Sequence, residues 1–205
     1  ADSGLIADSM RRGGYEILPS DTSELDVVIV NGCVVTGAAE QKTRQALRFA
    51  RRNNPDAFLV LAGCAAALTL KNEAAIPELA DAVIDNSCKT RVADYLQVAI
   101  AQRGNQQQAV VITEEYTDSF TENGTGLQQE KTRANVKIQE GCDFFCSYCI
   151  VPFVRGRPRS REWHDIEREV RRLVDQGCHE VVLTGVNIAC YAAPQGDLAD
   201  LLLCL

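Results

Sequence analysis

Three cysteines stand close enough along this chain to share one metal centre. Cys142, Cys146 and Cys149 form C-x-x-x-C-x-x-C directly after Gly141. Soft thiolate sulfur selects zinc, copper(I) or an iron–sulfur cluster. Structural zinc closes its shell with four protein ligands, and the nearest further Cys or His downstream is His164, already at the start of a helical pattern. A cubane held by three thiolates instead keeps one iron without a protein ligand, open to a substrate. Chance burial of three cysteines is the bland alternative. The polar, glycine-flanked loop around them argues against it.

Two more cysteines sit where an α/β sheet presents functional groups. Cys33 follows the apolar run Val27–Val30, and Cys64 follows the run Phe58–Ala62. They lie one strand–helix–strand period apart, so both project from the same C-terminal edge of a parallel sheet. Ligands, a redox pair and coincidence all fit that placement. Cys88, Cys178, Cys190 and Cys204 read as small buried hydrophobes, and His164 and His179 as solvated or satisfied side chains. Arg155, Arg157, Arg159 and Arg161 alternate around Pro158, which excludes helix there. An extended segment turns all four the same way, either into solvent or into an anion-facing strip.

The elements that must position these residues follow from hydrophobic periodicity. Leu5, Ile6, Ala7 and Met10 share a helical face that Gly13-Gly14 ends. Strand Asp26–Val30, a helix over 38–52 stopped by Asn53-Asn54-Pro55, strand 58–62 and a further helical stretch into Ala82-Val83-Ile84 alternate as a doubly wound parallel sheet does. This α/β domain covers residues 1–104. Residues 105–133 turn to Gln, Thr, Glu, Gly and Asn, with Gln106-Gln107-Gln108 and Asn123-Gly124-Thr125-Gly126, and read as a linker in which Val110-Val111-Ile112 is one candidate strand. From 134 to 205 the pattern resumes: strand 136–139, a helix with Ile166, Val170, Leu173 and Val174 on one face, Gly177 as its stop, and strand 181–184. The three-cysteine motif occupies the long loop after the first of these strands.

Composition narrows the function classes. The 205 residues are 46% hydrophobic, with 28 acidic against 21 basic residues and a net charge of −7. That balance disfavours this stretch as a general nucleic-acid binder, since phosphate neutralisation supplies most of such affinity. No apolar run is long enough to span a bilayer and no signal peptide opens the chain, so a cytoplasmic protein without a membrane partner is expected. Nine cysteines, an odd number without a secretion signal, point to metal or redox chemistry rather than a disulfide framework. The helical opening at Ala1-Asp2-Ser3 and the apolar close Leu201–Leu205 read as cuts in a longer chain.

The stretch NVKIQEGCDFFCSYCIVPFVRGRPRSR resembles the radical S-adenosylmethionine (SAM) enzymes, specifically the methylthiotransferases. The resemblance implies that Cys142, Cys146 and Cys149 hold a [4Fe–4S] cluster whose fourth iron chelates SAM. It also implies that residues 134–205 begin a partial (β/α) barrel. By the same resemblance Tyr148 packs on the SAM adenine, and Thr184 and Gly185, with Asn187 beyond them, face the SAM amino group at the end of the second strand. The stretch VIVNGCVVTGAAEQKTRQALRFARRNNPDAFLVLAGCAA is similar to the family's N-terminal domain. There it implies a second [4Fe–4S] cluster, with Cys33 and Cys64 as two ligands and a third upstream of Ala1.

Family likeness further implies insertion of a methylthio group into a C–H bond of a modified tRNA adenosine. Threonylcarbamoyladenosine beside the anticodon is the expected target, since LTGVN and RGRPRSR are most like that branch. Isopentenyladenosine and a ribosomal-protein aspartate are the alternatives. Expected partners are tRNA, bound mainly through surface outside this chain, and an electron donor such as a flavodoxin or ferredoxin. A non-catalytic iron–sulfur or zinc module is the rival from another class.

Overall fold

Val27–Val30 places β-branched residues at four successive positions, a pattern suited to a strand covered on both faces. In the computed structural model, which describes residues 2–19, 21–71, 79–104, 108–115, 120 and 133–205, this run forms β1 (Val27–Gly32). The strands β2 (Phe58–Gly63), β3 (Ala82–Ile84) and β4 (Val110–Ile112) join it in a parallel sheet ordered β1-β2-β3-β4. The chain divides into two units near Glu115, and this sheet belongs to the first.

Helices cover both faces of that sheet, as the doubly wound reading requires. Ile6 and Met10 of α1 (Asp2–Arg12) and Leu96 of α4 (Val92–Arg103) share a core with Val60, Ala62 and Ile84. On the opposite face Leu47 and Ala50 of α2 (Gly37–Asn53) and Ala66 of α3 (Cys64–Lys71) pack with Leu59, Leu61 and Val83. The alternation of β2 assigns its odd and even residues to the two cores, each large aliphatic contributing about 1.5–3 kcal/mol by leaving water. Thr36 caps α2 by accepting from the Ala39 N–H at 3.1 Å, and Asn54 closes its far end before Pro55.

The candidate strand at 110–112 is β4. It pairs with β3 through Ala82↔Val110, so the sheet extends into the stretch expected to be linker. Residues 105–107, 116–119 and 121–132, with Gln106-Gln107 and Asn123-Gly124-Thr125-Gly126, lie outside the described residues.

The second unit is built on β5 (Arg133–Glu140), α6 (Trp163–Asp175) and β7 (Glu180–Gly185). β5 and β7 are parallel neighbours, which makes this a βαβ unit. Val136, Ile138, Ile166, Leu173, Tyr191 and Leu201 form its core. Val174, expected on the buried face of α6, is exposed instead, because that face is filled one residue earlier by Leu173. Several elements of this unit were not anticipated. Residues 151–155 form a short helix, α5 (Val151–Arg155), started by Pro152, and β6 (Arg159–Ser160) pairs antiparallel with the end of β5. A small hairpin, β8 (Ala192–Ala193) and β9 (Gly196–Asp197), leads into α7 (Leu198–Cys204), whose capping box joins Asp197 and Asp200. No helix among the described residues is long and apolar enough to cross a membrane.

Candidate functional site: two cysteine-bearing sheet edges

The C-terminal end of β5 opens into the cysteine loop, and a buried ionic clasp closes the loop at its base. Glu140, 1% exposed, lies 2.9 Å from Arg155, 3.4 Å from Arg159 and 3.6 Å from Lys137. The β5–β6 pairing Glu140↔Arg159 holds the two ends of the loop side by side, and the Cys142 N–H donates to Gly156 O at 3.1 Å. Gly141 has a φ of +77°, and a Cβ there would stand 2.0 Å from Arg157 O. Only glycine closes this loop without displacing backbone.

Above that base the loop is open. Cys146 is exposed, Cys142 and Cys149 are half-buried, and none is in a disulfide. The Cys149 N–H donates to Cys146 O at 2.9 Å, so the last two cysteines share one turn. Phe145, at a φ of +47°, meets Phe153 edge to face. Tyr148 is 89% exposed. Among the described residues no three Cys, His, Asp or Glu side chains converge to metal-binding distance. The structure brings the three thiols onto one loop without drawing them to one point. Metal binding itself supplies the free energy that gathers such ligands. An all-sulfur donor set on an accessible loop fits an iron–sulfur cluster on chemical grounds.

The arginines of this segment have a different role from either expected one. Arg155 and Arg159 belong to the clasp. Arg161 is fully buried, donating to Asp165 at 2.8 Å, Glu169 at 2.6 Å and Lys137 O at 3.0 Å. Burial works against its charge, but Glu169 and Asp165 outweigh that and raise the guanidinium pKa. Tyr191 donates to Arg161 O at 2.7 Å, and burial pushes its phenol up to about 12. Arg157 alone is left exposed. The alternation that suggested a strip is interrupted by α5 and by the inward faces of 159 and 161.

At the end of β7, the Thr184 hydroxyl donates to Val136 O on the neighbouring strand at 3.4 Å, and Gly185 lies in register with Gln139. His164 is exposed beside Glu162, and His179 is exposed as well. Cys88 is a buried core residue whose thiol burial pushes up to about 11. Cys204, read as a small buried hydrophobe, is exposed, and Cys178 and Cys190 are half-buried. α7 turns Leu201 rather than Cys204 into the core.

In the first unit the register sets the second pair. Gly32 and Gly63 are paired across β1 and β2, so Cys33 and Cys64 leave adjacent strand ends on one edge. Cys33 is exposed, and its backbone is bracketed by Thr43, whose hydroxyl oxygen accepts from the Cys33 N–H and lies within bonding distance of Cys33 O, both at 3.1 Å. Cys64 is buried and begins α3 with no intervening loop.

Gln139, Glu140 and the Arg161 network were missed by pattern reading. The available signal was a strand ending in two adjacent polar residues, Gln-Glu, immediately before a glycine.

Comparison with known proteins agrees with both halves. Residues 1–85 match UPF0004, described as an uncharacterized protein family, and residues 136–203 match the radical SAM superfamily. The chain is 33% identical over 196 residues to a threonylcarbamoyladenosine tRNA methylthiotransferase of Aquifex aeolicus, covering 95% of this chain and 47% of that protein. It is 34% identical over 209 residues to a tRNA-2-methylthio-N(6)-dimethylallyladenosine synthase of Acidithiobacillus ferrooxidans, covering 98% and 46%. The chain therefore spans about half the length of the curated relatives it matches. Among solved structures, the radical SAM methyltransferase TsrM of Kitasatospora setae, with cobalamin and a [4Fe–4S] cluster bound, superposes with a TM-score of 0.57 over 91% of this chain and 46% of that one, at 13% identity. That likeness concerns the fold alone. The chain thus joins a UPF0004 region to a radical SAM region, and is similar along nearly its whole length to about half of these tRNA methylthiotransferases.

Proposed function

We propose that the whole protein inserts a methylthio group into a C–H bond of threonylcarbamoyladenosine in tRNA, in the cytoplasm. The observation that carries this reading is the three-thiol loop, held open at the C-terminal end of β5 with β7 ending beside it. Active sites of (β/α) barrels lie at that end of the strands.

Cys142, Cys146 and Cys149 would hold the cluster that binds SAM. With SAM and one electron from a reductant, such a cluster would supply radical chemistry at the substrate C–H bond. Tyr148, free of the core, offers a ring to the adenine. The backbone at Thr184 and Gly185 offers polar groups to the SAM amino end. Cys33 and Cys64, on neighbouring strand ends, would be two of three ligands of a second [4Fe–4S] cluster, completed from upstream of Ala1. The exposed loop also gives a reductant such as a flavodoxin or ferredoxin a route to the first cluster.

Dimethylallyladenosine is the second reading, favoured by the matching identity to the Acidithiobacillus enzyme. Mass spectrometry of tRNA nucleosides from cells lacking the gene, with and without the gene restored, tests both. Methylthiolation of threonylcarbamoyladenosine that returns with the gene supports the first reading. Its return on the isopentenylated nucleoside supports the second, and no change on either overturns the family-wide activity for this protein.

A further inference from the structure

One buried side chain ties the cysteine loop to the end of β7. Gln139 is the penultimate residue of β5 and is fully buried. Its Nε2 donates to Gly141 O at 2.8 Å and to Glu140 O at 3.1 Å, the carbonyls just before Cys142. Its Oε1 accepts from the Asn187 N–H at 2.8 Å, in the loop after β7. One planar amide thus joins the two loops that the reading above places around SAM.

The neighbouring sequence makes room for this bridge. Gly185 is in register with Gln139, and a Cβ at 185 would stand 3.0 Å from both the Cβ and the Oε1 of Gln139. The β5–β7 register shifts between Lys137 and Gln139, a local irregularity of the kind that re-aims a side chain at a strand end. A hydrophobic residue at 139 would fill the same space, but it would leave Gly141 O and the Asn187 N–H without these bonds. The position therefore requires both a donor and an acceptor on one rigid plane.

We infer that Gln139 is a positioning residue for SAM: its amide fixes the spacing between the cysteine loop and the backbone after β7, so that a ligand held by both meets them pre-set. The inference rests on the assignment of a SAM-binding cluster to Cys142, Cys146 and Cys149. It concerns the coupling of two loops, not retention of the cluster, because Gln139 ligates nothing. Preorganising two binding elements raises affinity by removing the cost of ordering them on binding.

The test uses the full-length protein, reconstituted anaerobically, as wild type, Gln139→Met, Gln139→Asn and Tyr191→Phe. Met keeps the bulk and loses all three bonds. Asn keeps the amide but is one methylene too short to span both loops. Tyr191→Phe removes a buried hydrogen bond, to Arg161 O, at the end of the turn that follows Asn187, and leaves the bonds of Gln139 in place. Iron and sulfide content, amide hydrogen exchange at Asn187, and SAM half-saturation of the change in the reduced cluster's electron paramagnetic resonance signal are measured on each.

Both Gln139 variants should load iron as wild type does. They should exchange the Asn187 amide at least about tenfold faster and need about tenfold more SAM, a factor equivalent to about 1.4 kcal/mol. Tyr191→Phe should lower the unfolding temperature and leave SAM half-saturation unchanged. Unaltered half-saturation in both Gln139 variants at full iron loading overturns the inference and leaves the cluster assignment standing. Loss of iron in step with loss of SAM response also overturns it, since Gln139 would then hold the loop rather than couple two. Absence of iron from the wild type overturns the cluster assignment, and the inference with it.

Discussion

The two units present cysteines in opposite ways. In the second, all three thiols lie on one continuous loop, and the fold's contribution is to close that loop's base with Glu140, Arg155, Arg159 and Lys137. In the first, Cys33 and Cys64 come from different strands, and the fold's contribution is register: Gly32↔Gly63 brings the next residues to one edge. A site local in sequence depends on its clasp. A site assembled across strands depends on the sheet beneath it. Damage to either support should therefore remain within its own unit.

The largest effect is expected at Arg161. Arg161→Met takes the buried guanidinium away from Asp165 and Glu169, and breaking a buried ionic network in this way costs about 3–5 kcal/mol. Denaturant unfolding should show that loss in the second unit, with the first unit's transition unchanged. Next is Glu140→Gln, which removes the negative charge facing three cations. Leaving buried charged donors poorly matched costs about 1–3 kcal/mol, and iron bound by the cysteine loop should be lost faster to a chelator. Iron retained as in wild type would show that the loop does not need its clasp.

Thr43→Val sharpens the other side of the comparison. It removes the hydroxyl that brackets Cys33 at nearly constant volume, at a cost of about 1–2 kcal/mol. It should loosen iron bound at Cys33 and leave iron at the cysteine loop untouched. The smallest effect concerns Asp81, which lies 2.6 Å from Arg51 and 3.2 Å from Arg103. Burial works to raise its pKa, but the Leu59 N–H, Arg51 and Arg103 together hold it below the ordinary value. A depressed carboxylate stabilises the fold above its unfolded pKa, and that contribution is lost as pH falls through the folded value. Asp81→Asn should therefore lower the unfolding midpoint modestly at pH 7, and the difference from wild type should vanish in acid.

Much of this was legible in the sequence, for reasons that separate the two units again. Buried parallel strands announce themselves as apolar runs, so β1, β2 and β7 were readable, as was the helix stopped by Asn54-Pro55. The cysteine spacing was readable because the three residues are close together in the sequence. What pattern could not show was the fate of charged residues. Alternating arginines look solvated, yet Arg159 and Arg161 turn inward because Glu140, Asp165 and Glu169 await them from other elements. Such pairing is tertiary and leaves no periodic trace. Gln139 was invisible for the same reason: its partners, Gly141 O and the Asn187 N–H, are backbone groups on two different loops. The short strand β4 sat inside a polar stretch, and only its pairing with β3 distinguishes it from a connection.

The most direct test is the count of iron and acid-labile sulfide per chain in the full-length protein after anaerobic reconstitution, compared with a variant in which Cys142, Cys146 and Cys149 are all alanine. Two cubanes predict about eight irons in the wild type and about four in the variant, the remainder held with Cys33 and Cys64. Zinc in place of iron, or an iron content unchanged by the triple substitution, would contradict the account.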